Sequence, residues 1–114
     1  MNKTIDQLIK EAIIVHQNGK LEEADNLYRF ILREQPQLAD IHNNLAVVLG
    51  QQGKLEEALI SYKKAIEYKP DYFDAHINLA NVLRMQNKND EAKLHYKKAI
   101  ELKTDSPDAY NNLG

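Results

Sequence analysis

The chain has 114 residues, 43% of them hydrophobic and 28% charged, and 15 Lys and Arg against 17 Asp and Glu leave a net charge of -2. That is too apolar and too evenly charged for a disordered chain, and it supplies no broad basic field for nucleic acid or an anionic membrane. Cys 0 excludes disulfide frameworks, thiolate metal sites and cysteine nucleophiles, and Gly 4 with Pro 3 points to helices rather than a turn-rich β protein.

The N-terminus mixes Lys3, Asp6 and Lys10 among its apolar residues, so it lacks the unbroken apolar stretch of a signal peptide. Apolar runs such as Ala12 to Val15 and Leu45 to Leu49 fall far short of the ~20 residues of a membrane span. A soluble, cytoplasmic chain is expected. Thr4-Ile5-Asp6-Gln7 is a capping-box pattern, and Ile5, Leu8, Ala12 and Val15 follow at helical spacing, which predicts a first helix. Gly19 ends it, because glycine takes the left-handed conformation at little cost. A second helix begins near Leu21, carries Ala24, Tyr28 and Ile31 on one face, and stops before Pro36.

The same signals then recur. Gly53 ends the next first helix, and its partner runs from about Leu55 with Ala58, Tyr62 and Ala65 on one face, up to Pro70. In the third round Asn87 replaces the glycine, the next best residue for a left-handed turn. The helix from about Asn89 carries Ala92, Tyr96 and Ala99, and Thr104 stands where the proline was. Pro107 follows Ser106 at a first helical turn, where its missing N–H costs nothing.

The period is 34 residues. Residues 39–72 laid on 73–106 agree at 19 of 34 positions. The chain divides into units 5–38, 39–72 and 73–106, with a partial fourth at 107–114, all within one domain of 1–114. A single pair of short helices cannot bury both apolar faces, so neighbouring pairs must stack into a superhelix. Ala12, Ala46 and Ala80 let the helices of a pair approach closely. Tyr28, Tyr62 and Tyr96 are placed near the ends of the apolar stripe, with packed rings and wet hydroxyls.

This pattern resembles the tetratricopeptide repeat, a 34-residue helix–turn–helix unit. The family's signature positions fall on His42, Leu45, Ala46, Leu49, Ala58, Tyr62, Ala65 and Pro70 in the second unit. In the third they fall on His76, Leu79, Ala80, Leu83, Ala92, Tyr96, Ala99 and Thr104. The first unit is more divergent, and Tyr110, Leu113 and Gly114 match the opening of another. The resemblance implies an all-α solenoid with a right-handed superhelix. It says little about function, because the fold serves many partners.

No catalytic constellation is present, and no enzyme, cofactor or metal is expected. Serine occurs only at Ser61 and Ser106, without a nucleophile elbow. His42 and His76 fill the family's aromatic slot one repeat apart. Stacked pairs set them about 10 Å apart, too far to share a metal with ~2 Å bonds. His16 and His95 have no repeat partner and no nearby ligand set. The pairs Glu22-Glu23, Glu56-Glu57 and Asp90-Glu91 open second helices, and Lys63-Lys64 and Lys97-Lys98 close them, which complements the helix dipole.

The asparagines stand out. Asn44, Asn78 and Asn112 are in 34-residue register, Asn43 flanks one of them, and Asn81 lies one turn beyond Asn78. Asparagine is a mediocre helix former. In the tetratricopeptide family the first helix of each pair lines a concave groove. The positions not used for packing there are Asp40, Asn43, Asn44, Val47 and Gln51, then Asp74, Ile77, Asn78, Asn81 and Arg84. The first unit contributes Lys10, Ile13 and Gln17. A column of asparagines offers donors and acceptors to the main chain of an extended peptide, and it resembles the groove of the repeat domain in protein O-GlcNAc transferases and related bacterial proteins. The competing reading is that Asn only bonds to neighbouring helices. The family's carboxylate clamp for acidic tails does not fit, since Asp6, Asp40, Asp74 and Asp108 face Lys10 and Arg84 alone.

The expected function is therefore a protein-interaction scaffold that binds a neutral to mildly basic protein or peptide segment, with no nucleic acid and no membrane. The alternative is a substrate-presenting arm of a larger enzyme, of bacterial glycosyltransferase or methyltransferase type, because Gly114 falls inside a first helix. End-to-end self-association through an uncapped C-terminus is a third expectation.

Overall fold

The computed structural model describes residues 3–104. Six helices follow one another: α1 (Ile5–Gln17), α2 (Leu21–Glu34), α3 (Ala39–Gln51), α4 (Leu55–Tyr68), α5 (Phe73–Met85) and α6 (Asn89–Thr104). The expected stub at 107–114 lies outside the described residues. α1 opens with a reciprocal cap, the Gln7 N–H donating to Thr4 Oγ1 at 3.1 Å and the Thr4 N–H to Gln7 Oε1 at 2.9 Å. Gly19 and Gly53 turn the chain at φ 78 and Asn87 at φ 62, the left-handed turns that the repeat requires. Without the proline, α6 runs to Thr104 and reaches 16 residues where α2 and α4 have 14.

Within each pair α1 packs on α2, α3 on α4 and α5 on α6; between pairs α2 packs on α3 and α4 on α5. α3 also meets α5, so the first helices form one face of an elongated stack, 52 × 33 × 24 Å. Ala12, Ala46 and Ala80 are wholly buried at the pair contacts, where a longer side chain would push the helices apart. The core is continuous through all three pairs: Tyr28 and Ile31, then Leu45 and Leu49, then Leu79 and Leu83. Full burial of each such side chain contributes about 1.5–3 kcal/mol.

The tyrosines depart from expectation. Tyr28 and Tyr62 are buried, ring and hydroxyl together, because the neighbouring pair closes over the ring. Burial pushes the Tyr62 hydroxyl up to about 12. The Tyr28 hydroxyl meets His16 Nδ1 at 3.3 Å. Tyr96 is half-buried, and its hydroxyl donates to Asn81 Oδ1.

Candidate functional site

Three of the expected groove residues come together. Ile13, Asp40 and Asn44 border a hollow of about 500 Å3 between α1 and α3, which Lys69 and Tyr72 close from the loop after α4. The Tyr72 hydroxyl lies by the Asp40 carboxylate and the Asn43 side chain. Its own burial, then the Asp40 carboxylate and the charge of Asp74, hold the phenol well above its ordinary value. Lys69 Nζ lies 4.7 Å over the Tyr72 ring.

Asn43 departs from the open position expected of it. It is buried beside the Tyr72 hydroxyl, and its Oδ1 has no partner. Asn81 is also engaged, as the acceptor for Tyr96. By contrast, Asn44 and Asn78 are half-buried, and neither side chain makes a hydrogen bond to another described residue. The asparagines thus divide in two. Asn43 is buried and Asn81 accepts from Tyr96, while Asn44 and Asn78 keep their amides available.

The remaining positions spread along the first-helix face. Val47 packs against the core and Ile77 is half-buried. Gln17, Asp74 and Arg84 are exposed. Gln51 is exposed and meets His16 Nε2 at 2.9 Å through its Oε1. Lys10 borders a separate hollow on α1 with Lys3 and Ile14. Asn112 lies outside the described residues. Tyr72 escaped the sequence reading because Leu38 and Ser106 occupy its place in the other units, so no register marks it.

The histidines divide as well. His42 and His76 are buried in the aromatic slot, with Nε2 donating to the Pro36 carbonyl at 2.7 Å and to the Pro70 carbonyl at 2.9 Å. His42 stacks on Tyr68 with ring centres 5.6 Å apart. His95 is not the isolated residue the sequence suggests: its Nδ1 lies 3.1 Å from His76 Nδ1. Since His76 spends its one neutral-state proton on the Pro70 carbonyl, its Nδ1 accepts and His95 Nδ1–H donates. Burial first, then the facing His76, lowers the His95 pKa. Among the described residues no group of three or more His, Cys, Asp or Glu is placed to hold a metal ion. No helix there is long and apolar enough to cross a membrane.

A family model described as TPR repeat matches residues 48–86 and 80–114, more than half of the chain. The chain belongs to the tetratricopeptide repeat family. No curated protein sequence matches it. Solved structures agree on the fold. A MamA chain (MamA RS-1 ArsTM double mutant) superposes with a TM-score of 0.88 at 15% identity, over 93% of this chain and 60% of that one. A chain of the CopN-Scc3 complex gives 0.87 at 16% identity, over 96% and 64%. The type III secretion translocator chaperone SycD of Yersinia enterocolitica (alternative dimer) gives 0.87 at 20% identity, over 97% and 84%. This chain spans 57–60% of the length of the first three MamA chains it matches. The architecture is that of a tetratricopeptide solenoid, all-α and built by stacking helix pairs.

Proposed function

We propose that the chain is a protein-interaction module that grips an extended peptide segment, neutral to mildly basic, along the face of α1, α3 and α5. The observation that carries this reading is the pair Asn44 and Asn78, one repeat apart on that face, half-exposed and unpaired among the described residues. Each carries a donor and an acceptor, the complement of a peptide main chain. The hollow beside Asn44 supplies apolar walls from Ile9 and Ile13 for one side chain of the ligand. Asp6, Asp40 and Asp74 outnumber Lys10 and Arg84 on the same helices, which disfavours an acidic ligand. Chains of the same fold occur in a complex and in a chaperone, CopN-Scc3 and SycD.

Selection of a displayed random-peptide library on the protein tests the reading. Neutral or basic peptides should be recovered, and a synthetic copy should lose about tenfold or more in affinity on Asn44→Ala/Asn78→Ala, since two amide contacts are worth about 1 kcal/mol each. If every neutral or basic peptide recovered binds the double variant undiminished, the asparagines grip nothing.

A further inference from the structure

A second hollow, of about 510 Å3, opens between α2 and α4 on the opposite side from the first-helix face, with α3 as its floor. Leu32, Leu45, Leu49 and Ile60 give it apolar walls, and Ile60 is 58% exposed. Comparison of the repeats explains why it is open. Ser61 in α4 and His95 in α6 occupy the same repeat position, as do His42 and His76. In the third unit the His95 ring fills that place and bonds to His76. In the second unit Ser61 is too short to reach His42, and the space above His42 is left as a cleft.

The rim of this cleft is positive. Its one acidic residue, Glu57, is already bound to Arg29 at 3.2 Å. Arg33 lies over the Phe30 ring at 5.7 Å, and neither Arg33 nor Lys64 has a carboxylate partner among the described residues. Two unpaired cations beside an apolar hollow complement a ligand with carboxylates flanking a large apolar side chain. We infer that the α2–α4 cleft is a docking site for an acidic peptide segment of a partner protein, anchored by one Leu, Ile, Met or Phe side chain over Leu45 and Leu49. Its carboxylates pair with Arg33 and Lys64. This site uses none of the residues that grip a ligand on the first-helix face, and it attracts peptides of the opposite charge.

The test uses the same displayed random-peptide library on the full chain. Selection should enrich a class of peptides with acidic residues on either side of a large apolar one. A synthetic member should bind the wild type and Asn44→Ala/Asn78→Ala alike. It should lose about tenfold or more in affinity on Ser61→His, which closes the cleft with the ring the third repeat already uses. The exposed pair Arg33→Glu/Lys64→Glu, which leaves the core untouched, should give the same loss even if Ser61→His perturbs folding. Enrichment of neutral or basic peptides only, or acidic peptides that bind the Arg33→Glu/Lys64→Glu protein as tightly as wild type, would overturn the inference.

Discussion

Gly53 turns the chain at φ 78, and an added Cβ there would meet nothing within 4 Å. The cost of a side chain is therefore purely that of the backbone, about 1 kcal/mol or somewhat more for a residue forced into the left-handed region. Gly53→Ala should lower the unfolding free energy by that amount, read as a lower urea midpoint at unchanged slope. Gly53→Asn should cost less, because Asn87 already holds the same turn at φ 62 and asparagine tolerates it. Equal midpoints for Gly53→Ala and wild type would mean that the turn carries no backbone strain. This was the scale at which the sequence was easiest to read. Gly19, Gly53 and Asn87 recur at fixed register and have one physical reason. Two residues that shape the hollows, Tyr72 and Ser61, were not legible for the opposite reason: both are departures from the repeat. A period reports what the units share, whereas a cavity opens where one unit lacks a side chain that its neighbour has.

Helix boundaries followed the turn signals closely, with second helices beginning at Leu21, Leu55 and Asn89 just after the left-handed turns. Which helices would share polar contacts was not legible, and the α5–α6 pair shows why. His95 has no counterpart in register, yet the packing of α6 on α5 brings it against His76. The groups bearing on its charge are His76, Glu91 and Lys63, of which only Glu91 favours the imidazolium. The folded-state pKa of His95 is thus below the ordinary value of about 6.5. The unfolded chain takes up the proton first, so this contribution is full above about pH 6.5 and is lost as pH falls towards the lower folded pKa. The melting temperature should accordingly fall on going from about pH 7.5 to pH 5.5. His95→Ser, which installs the second unit's residue, should make that fall smaller. An unchanged pH dependence in His95→Ser would remove the His76–His95 contact from the account.

In the whole stack, stability is a sum of units and of the interfaces between them, and the interfaces are unequal. α3 packs against α2, α4 and α5, whereas α1 packs on α2. One column of residues records the difference. Val48 is wholly buried and Val82 nearly so, while Ile14, at the same repeat position in α1, is 56% exposed. The larger side chain should therefore matter less. Val48→Ala removes two buried methyl groups from the centre of the stack and should cost about 2 kcal/mol. Ile14→Ala, although it removes more atoms, should stay within about 0.5 kcal/mol, as surface substitutions do. Urea denaturation of the two variants measures both. Native-state hydrogen exchange should show the same gradient, with amides of α1 opening at lower free energy than those of α3. If Ile14→Ala instead destabilised as much as Val48→Ala, and did so more at high protein concentration, the outer face of α1 would be buried in solution against another copy of the chain. The exposure of Ile14 thus serves as a reporter for self-association through the N-terminal end of the stack, separate from the peptide-binding readouts on its two sides.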